Sequence, residues 1–460
     1  MRIKKYDFDY GRRVLLEKSL KGAVAAGVLG ALWPGTGEAA DVSKVYPDEL
    51  TSIDMYSKGK IKTGDYITAD NVEIVKDLLD PIVYLQIKNL GRKIKIRATT
   101  KDVTTMFPAS FLEASLRNRG KAKFGEDGNV YTQDGKPWMG GAPFLDPKTA
   151  QEAIANLALS WGKHDYCQYA IRETDISPEG RVAYQYDFCW AELQATNRMD
   201  GKIFQDKKDF MRWQTVLFTA SPDVAGSSFL SIWYYDQRKY PELYGYLPQF
   251  KRVRQFPTNQ RFEPLVPGVT WFLTDPWYVG DPMLTWGNFK VISRKPMLGA
   301  WSGNWAGKNK NWEKTVHGGP KGITFLDVEY ELAPEVLEVE MEPIGYPRAP
   351  CSKKRAWIDA RNGMYCGEVR YDRNGQPWVN FETGSGQMVD GDKVVLEKGR
   401  TTPDWSWTFV QSHDIQGNRN SRAEHVEQCT GGYKSQLAGD SEEMYNTFFT
   451  QQAIQRLGQV

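Results

Sequence analysis

The sequence has few of the residues and spacings from which catalytic and metal centres are usually built. Among its 460 residues there are four histidines, His164, His317, His413 and His425. None of them stands in an HxH, HExxH or His/Cys spacing that would indicate zinc. The sequence also contains no GxSxG turn, no Walker loop and no GxGxxG after a strand-like run. We therefore expect neither a metal nor a cofactor, and no enzymatic activity.

The chain also has little net charge. The 59 Lys and Arg residues nearly balance the 57 Asp and Glu residues, which leaves a net charge of +2. A chain without a strong positive field has little attraction for nucleic acid, so we exclude that class of partner. Long apolar runs are missing as well. The run from residue 22 to residue 33 is too short and too rich in glycine for a membrane span, which needs about 20 apolar residues.

The N-terminal residues have the composition of an export signal. Arg12 and Arg13 precede the short apolar run, and Glu38, Ala39 and Ala40 mark a break in composition. This order is that of a charged region, an apolar region and a small-residue cleavage site, and the paired arginines fit a twin-arginine signal. We predict a signal peptide over residues 1–40, cleaved near residue 40, and a single β-rich domain over residues 41–460. No cysteine stands beside the cleavage site, so the mature protein is expected in the periplasm without a lipid anchor.

The cysteines fit an oxidising compartment. Cys167 and Cys189 flank one predicted hairpin turn, and Cys351 and Cys366 flank another. These four residues are candidates for two disulfides, although the turns alone do not fix the strand register. The fifth cysteine, Cys429, leaves one thiol over in any pairing.

From about Tyr166 to Phe409 the dominant period of the sequence is two. Between Val336 and Glu342, for example, apolar residues alternate with glutamates. Strands joined by polar turns, with few long helical patterns between them, predict a mainly antiparallel sheet. The predicted fold class is therefore mainly β, in one continuous domain with helical additions at its N- and C-terminal ends.

Three helices are expected outside the strand-like region. Thr68 is a candidate cap for a helix that stops before Pro81. Asp146 and Pro147 form a cap and first-turn pair that opens a second helix with one apolar stripe. A C-terminal helix is expected to begin at Asp440 or Ser441.

Aromatic residues make up 13% of the chain, and many fall between Phe229 and Pro296. This stretch is expected to form middle strands of the sheet, with one aromatic face lining an apolar groove, although any single aromatic residue is more often explained as core. Arg252 and Arg254 are expected either on a solvated face or at a basic rim that holds a carboxylate or phosphate. Asp275 and Asp281 stand beside prolines and are expected in turns rather than as an acid/base pair. The candidate ligand-binding residues are Trp213, Phe218, Trp233, Tyr235, Tyr244, Tyr246, Phe250, Arg252, Arg254, Trp271, Trp277, Tyr278 and Trp286.

Several segments resemble an uncharacterised proteobacterial family of exported proteins that is often described as outer-membrane lipoprotein-sorting-like. In chain order they are NVEIVKDLLDP, GGAPFLDPKTAQEAIANL, YLPQFKRVRQFP, NFKVISRKP and YELAPEVLEVEMEPIGYPRAPCSKKRAWIDARNGMYCGEVRYDRNGQPW. The resemblance covers roughly residues 50 to 450. It implies a large curved antiparallel sheet, a half-open β-barrel wrapped around helices, as in the periplasmic lipoprotein carrier and its receptor. It further implies a gene neighbourhood with an outer-membrane barrel and an exporter of the resistance-nodulation-division type.

The sequence departs from the family pattern at GVTWFLTDPWYVGDPMLTWGN, where Trp271, Trp277, Tyr278 and Trp286 add aromatic bulk. This segment is where the specificity of the protein is expected, and its bulk argues against a simple acyl-chain ligand. The leading functional hypothesis is a periplasmic carrier for a hydrophobic molecule, such as a lipid, sterol or aromatic compound, that works with an exporter and an outer-membrane barrel. The alternatives are an interaction module that bridges those two partners and, last, a periplasmic enzyme that uses carboxylates with His413 and His425.

Overall fold

The computed structural model describes residues 41–160, 163–258, 261–273, 275, 282–299, 315–390, 393–426 and 441–459. The predicted signal peptide and Cys429 lie outside these residues. None of the described helices combines the length and the apolar character that crossing a membrane requires.

Most of the described chain is β-structure, as the period of two predicts. The strands, numbered in chain order, are β1 Tyr66–Ile67, β2 Ile94–Ile96, β3 Ala122–Phe124, β4 Val130–Thr132, β5 Tyr166–Ile176, β6 Val182–Gln194, β7 Phe210–Ala220, β8 Ser228–Tyr234, β9 Glu242–Leu247, β10 Arg252–Phe256, β11 Gly287–Gly299, β12 Val316–His317, β13 Phe325–Leu326, β14 Glu329–Glu342, β15 Cys351–Asp359, β16 Tyr365–Asp372, β17 Pro377–Gln387, β18 Val389–Asp390, β19 Lys393–Val394, β20 Trp405–Asp414 and β21 Arg419–His425.

A single sheet joins 15 of these strands. From one edge to the other its order is β10-β9-β8-β7-β6-β5-β21-β20-β17-β16-β15-β14. β11 pairs with β14 along the edge that faces away from β15. β2 joins the same side of β14 through the one parallel pairing among the sheet's described strand pairs, and β1 pairs with β2. The sheet is large, curved and not closed into a barrel. This architecture confirms the predicted fold class.

The helices are short and lie against both faces of the sheet. The α-helices span Asp48–Thr51, Ile53–Ser57, Pro81–Leu90, Ala109–Arg117, Ala150–Ser160, Ser441–Phe448 and Gln451–Leu457. We call the face that carries Glu173, Phe188 and Val216 the inner face, and the opposite one the outer face. The helix Ala150–Ser160 packs in an inner-face core with Leu337 and Val339, whereas the two C-terminal helices cover the outer face at β6–β10.

The predicted helix before Pro81 is wrong in its position. Two short 3-10 turns, Val72–Ile74 and Lys76–Leu78, stand where it was expected, and the α-helix begins at Pro81. The Asp80 carboxylate caps this helix by accepting the backbone N–H groups of Ile82 and Val83, at 2.8 and 2.9 Å. Proline is well tolerated at the first position of a helix, where no N–H partner is needed, so Pro81 starts the helix rather than stopping one.

The predicted disulfides are also wrong. In the β5–β6 register Cys167 lies opposite Glu192 and Cys189 lies opposite Ala170, which places the two side chains on opposite faces of the sheet. In the second hairpin Cys351 pairs with Asp372, whereas Cys366 lies beside the other end of the strand pair. At about 3.3 Å per residue, Cys351 and Cys366 are roughly 20 Å apart, too far for a disulfide.

Candidate functional site

Between β10 and β11 the chain crosses the inner face from one edge of the sheet to the other. We call residues 257–286 the strap; its described parts are 257–258, 261–273, 275 and 282–286. Apart from a 3-10 turn at Met283–Thr285, the described strap contains neither helix nor strand. The expectation that the aromatic stretch forms middle strands is therefore wrong. β8–β10 lie at one edge of the sheet, β11 lies at the other, and the strap connects them.

Hydrogen bonds attach the strap to successive strands. The Tyr186 hydroxyl on β6 donates to the Pro267 carbonyl oxygen at 2.8 Å. The backbone N–H of Thr270 donates to Ser421 Oγ on β21 at 2.9 Å, and the Thr270 hydroxyl donates to the Ser412 carbonyl oxygen on β20 at 3.1 Å. Arg370 on β16 then donates to the Thr270 carbonyl oxygen at 3.2 Å. Side chains of the sheet thus replace the ladder partners that a strand would have supplied.

Local sequence explains why the strap does not join the sheet. Pro264 and Pro267 lack the N–H that a central strand must donate. Gly268 has φ +92°, and a Cβ added there would lie 2.4 Å from Tyr184 Cδ2 and 2.9 Å from Asp175 Oδ2. Only glycine fits this conformation and this approach to β5 and β6, so the strap can lie directly on the strands.

The strap forms the roof of a cavity of about 70 Å³ over β5–β9. This volume holds several water molecules but is less than half of the roughly 150 Å³ of an apolar cavity that binds benzene. Most of its walls are apolar or aromatic. The lining residues are Glu173, Phe188, Trp190, Gln214, Val216, Phe218, Phe229, Ser231 and Leu243 from the sheet, and Arg261, Leu265, Val266, Val269, Trp271, Phe272 and Leu273 from the strap.

Two buried carboxyl groups stand together on β5 beside this cavity. Glu173 is 2% exposed and Asp175 is 1% exposed, and both project to the inner face. Burial, and the neighbouring Asp175 carboxyl, raise the pKa of Glu173 well above its ordinary value. Burial also raises the pKa of Asp175 to about 7, although the hydrogen bond from the Ser421 hydroxyl opposes that shift. Close to neutral pH the pair therefore retains at least one proton.

Two arginines flank the indole ring of Trp233 near the same cavity. The guanidinium of Arg212 on β7 lies 4.7 Å from the ring centroid, and that of Arg261 in the strap lies 5.3 Å from it. Arg261 also donates to the Leu273 carbonyl oxygen at 3.1 Å. Burial lowers the pKa of Arg212 to about 10, with a further contribution from Arg261, while Glu192 opposes the shift. Trp233 thus links the strap to the sheet through cation–π contacts.

A buried charge cluster anchors the strap at the other end of the inner face. Lys354 Nζ on β15 lies 2.9 Å from Asp275 Oδ1 and 3.2 Å from Glu368 Oε1, and Arg370 Nη2 lies 3.2 Å from Asp275 Oδ2. Asp275 also accepts the backbone N–H of Phe272 at 2.7 Å. Burial, opposed by Lys354, raises the pKa of Glu368 to about 8. Asp275 lies in a turn, as the sequence predicted, because its backbone N–H donates to the Phe272 carbonyl oxygen at 3.0 Å. Its buried carboxylate also anchors the strap, a role that the sequence did not indicate.

The structure brings some of the predicted site residues together at the cavity. Phe218 and Trp271 line it, and Trp233 adjoins it through its contact with Arg261. Tyr235 and Trp286 belong to a neighbouring inner core, where the Tyr235 hydroxyl accepts the Trp138 N–H at 2.7 Å and the Lys354 ammonium lies 5.0 Å from the Trp286 ring.

The other predicted site residues lie elsewhere. Trp213 and Tyr244 pack on the outer face beneath the C-terminal helices, as does Tyr246, which adjoins the end of the last helix. Phe250, Arg252 and Arg254 are exposed at the β10 edge, where the Arg254 guanidinium lies 4.0 Å from the Phe250 ring. Trp277 and Tyr278 lie outside the described residues.

Sequence reasoning missed several lining residues. Phe188 and Trp190 follow Tyr184 and Tyr186 at alternate positions of β6, so a count of aromatic residues along this strand with period two would have marked its inner face. Arg261 and Glu173 carried no comparable signal, because their place in the cavity wall depends on which strands the strap crosses. Among the described residues, no three His, Cys, Asp or Glu side chains are grouped as ligands of a metal ion.

The fold and the site define a class of protein: a half-open antiparallel sheet whose inner face is crossed by a strap that roofs an aromatic cavity. The chain belongs to the family described as Protein of unknown function (DUF1329), whose model matches residues 66–455. This membership fits the resemblance noted in the sequence. None of the curated proteins matches the chain.

The chain is also similar to several solved structures at low sequence identity. A domain described as an outer membrane lipoprotein-sorting protein from Vibrio parahaemolyticus has 14% identity and a TM-score of 0.41, and the match covers 67% of this chain and 97% of that chain. A DUF1329 family protein from Desulfovibrio piger has 12% identity and a TM-score of 0.39, with 60% and 91% covered. A LolA superfamily protein from Nitrosomonas europaea has 11% identity and a TM-score of 0.35, with 66% and 99% covered.

Proposed function

We propose that the protein binds a hydrophobic molecule between the strap and the inner face of the sheet and carries it through the periplasm. One observation carries this proposal: a cavity with mostly apolar and aromatic walls lies between the sheet and a segment without regular structure. Ligand sites in proteins are typically concave and apolar with a few polar groups, and this cavity has that composition. The ligand classes that suit its walls are lipids, sterols and aromatic compounds.

The size of the cavity sets a condition on loading. At about 70 Å³ it is too small for a lipid or sterol, because pockets that enclose drug-sized ligands measure about 300–1,000 Å³. The sheet strands are held by continuous ladders, whereas strap residues 261–273 are held by side-chain contacts. We infer that the strap moves away from the sheet when a large ligand enters.

Direct analysis of the bound ligand tests the proposal. Mature protein purified from the native host is extracted with organic solvent, and the extract is examined by mass spectrometry. We expect a hydrophobic compound in stoichiometric amount, and quenching of Trp271 or Trp190 fluorescence when lipids or aromatic hydrocarbons are added to the extracted protein. An empty protein whose fluorescence does not respond to any of these ligands would refute the carrier function.

A reversible cross-link tests the movement of the strap. The Thr270 N–H lies 2.9 Å from Ser421 Oγ, so a Thr270→Cys/Ser421→Cys variant can join the strap to β21. The oxidised variant should exclude lipid-sized ligands, and reduction of the same variant should restore their binding. Equal uptake of a long-chain ligand by the oxidised and reduced forms would contradict strap opening.

The periplasmic location and the partners are part of the proposal. The arginine pair and the small-residue run support twin-arginine export, so Arg12→Lys/Arg13→Lys should retain the uncleaved chain in the cytoplasm, as detected by fractionation and N-terminal sequencing. The family resemblance supports transfer to or from an exporter of the resistance-nodulation-division type and an outer-membrane barrel. Co-purification after cross-linking in the native host tests this point, and recovery without either partner would count against it.

A second candidate function is an interaction module that joins those two partners and holds no substrate. The observation that favours it is the extent to which the strap and the helix Ala150–Ser160 fill the inner face. Exposed apolar residues at the β11 edge, such as Ile292 at 41% and the nearby Ile344 at 60% exposure, offer a contact surface. Partner binding that survives in a protein shown to be empty and unresponsive to ligands would favour this alternative.

A further inference from the structure

Glu173 gives the cavity a polar group that is deeply buried. Its side chain lines the cavity and is 2% exposed. Glu173 Oε1 has no hydrogen-bond partner among the described residues. Buried polar atoms nearly always have a partner, and leaving one without any is costly, so an atom in this position is suited to a bound molecule.

The neighbouring carboxyl determines the chemical state of Glu173. The Asp175 carboxyl is the neighbouring charge that raises the pKa of Glu173, and it accepts the Ser421 hydroxyl. Burial raises the pKa of Glu173, and the pair keeps a proton near neutral pH. Glu173 therefore presents an acceptor oxygen without a full negative charge.

The cavity is lined by groups of both signs, so its charges give no net preference for an anionic or a cationic ligand. An anionic group would be attracted by Arg261 but repelled by the Glu173–Asp175 pair. A cationic group would be attracted by that pair but repelled by Arg261, which is 2% exposed and part of the same lining. An ion of either sign would also lose its hydration in a site whose walls are mostly apolar.

We propose that the cavity takes an uncharged apolar molecule bearing a hydroxyl group, and that this hydroxyl donates a hydrogen bond to Glu173 Oε1. The inference rests on the proposed function, because it assigns a ligand class to the same cavity. It goes further in one respect: among lipids, sterols and aromatic compounds, it selects alcohols and phenols over fatty acids, amines and plain hydrocarbons. Gln214 and Ser231 are the other uncharged polar side chains of the lining.

Four ligands with the same ring and nearly the same size test this assignment: toluene, benzyl alcohol, benzylamine and benzoate. Their dissociation constants are measured by calorimetry with the mature protein at neutral pH. Because the rings are matched, any opening of the strap affects all four alike. We expect benzyl alcohol to bind at least about tenfold more tightly than benzoate and benzylamine, since only the latter two bring a charge into the site. Tighter binding of either ion would overturn the inference.

Two variants of Glu173 separate the hydrogen bond from the shape of the cavity. Glu173→Gln keeps an acceptor oxygen, and Glu173→Met keeps the length without one. The ratio of the toluene to the benzyl alcohol dissociation constant should be unchanged in the glutamine variant and should fall about fivefold in the methionine variant, the effect of one hydrogen bond. An unchanged ratio in the methionine variant would overturn the assignment.

The outcomes also separate this inference from the proposed function. Binding of toluene and benzyl alcohol with the same ratio in all three proteins would leave the carrier function standing and remove the role of Glu173. No binding of any of the four ligands would overturn this inference, and the solvent extract and the lipid titrations would then decide on the carrier function. If the methionine variant does not fold, the comparison of the four ligands on the unchanged protein still decides between an uncharged and an ionic ligand.

Discussion

Replacing Asp275 by asparagine should release one end of the strap. Asp275 is fully buried and accepts three close contacts, from Lys354 at 2.9 Å, from Arg370 at 3.2 Å and from the backbone N–H of Phe272 at 2.7 Å. Breaking a buried ion pair by removing one partner typically costs about 3–5 kcal/mol, because a charge remains buried without compensation. Here two cations would remain in the protein interior.

Glu368 moderates this cost. It lies 3.2 Å from Lys354, and the charge of Asp275 contributes to the raised pKa of its carboxyl group. In Asp275→Asn that repulsion disappears, so Glu368 ionises more readily and takes over part of the compensation. We therefore expect a loss near the lower end of the range, about 3 kcal/mol. A double variant with Glu368→Gln should lose more than the sum of the two single losses, because the compensating carboxylate is then missing as well.

The assay is denaturant unfolding combined with hydrogen exchange of strap residues 261–273. Glu340→Gln is the matched control, because Glu340 also accepts two cations at 2.8 Å, but its partners Lys353 and Arg355 are 26% and 27% exposed. Exposed pairs contribute about 0–1 kcal/mol. If Asp275→Asn costs no more than Glu340→Gln and leaves exchange in the strap unchanged, the cluster does not anchor the strap.

Three further predictions concern stability. Trp233→Ala should cost about 3–5 kcal/mol in unfolding free energy because the ring is 1% exposed. Phe250→Ala, at 44% exposure, should cost less than about 1 kcal/mol. Equal losses in the two variants would contradict the burial of Trp233. Gly268→Ala should destabilise the protein and speed hydrogen exchange in the strap, because the added Cβ would lie 2.4 Å from Tyr184. Gly363→Ala is the control and should cost only about 1 kcal/mol. Gly363 also has a positive φ, but no described atom lies within 4 Å of the added Cβ. Burial lowers the pKa of His413 to about 4, so the neutral imidazole contributes stability above pH 6.5 that is lost as the pH falls towards 4. Acidification should lower the unfolding free energy of the unchanged protein by about 3 kcal/mol more than that of His413→Asn. Parallel curves of unfolding free energy against pH for the two proteins would refute the lowered pKa.

The strands were predictable from the sequence because their signal is local. β14 alternates apolar residues with glutamates, and β15 and β16 flank an Asn-Gly turn; the structure pairs β15 with β16 as the predicted hairpin. Gly363 occupies that turn with φ +65°, a conformation that asparagine-glycine sequences favour. The order of the strands in the sheet carries no such signal, because neighbours such as β21 and β5 are separated by most of the chain.

The strap shows why composition misled. Its aromatic residues resemble those of the strands before and after it, so a count of aromatic residues does not distinguish a strand from a segment that lies on strands. Pro264 and Pro267 are the local evidence against a central strand. What they do not give is the path across the inner face, which depends on β10 and β11 lying at opposite edges of the sheet.

The polar positions of β5 show the same limit at the site itself. In an antiparallel sheet with one solvated face, the polar residues of an alternating strand lie in water. Glu173 and Asp175 are polar residues of β5 but are 2% and 1% exposed, because they project to the inner face, which the strap covers. A sheet covered on both faces turns its polar positions into buried groups, each of which needs a partner. Glu173 is such a group at the cavity wall, which is why the proposed ligand is defined there by a hydroxyl group as well as by an apolar body.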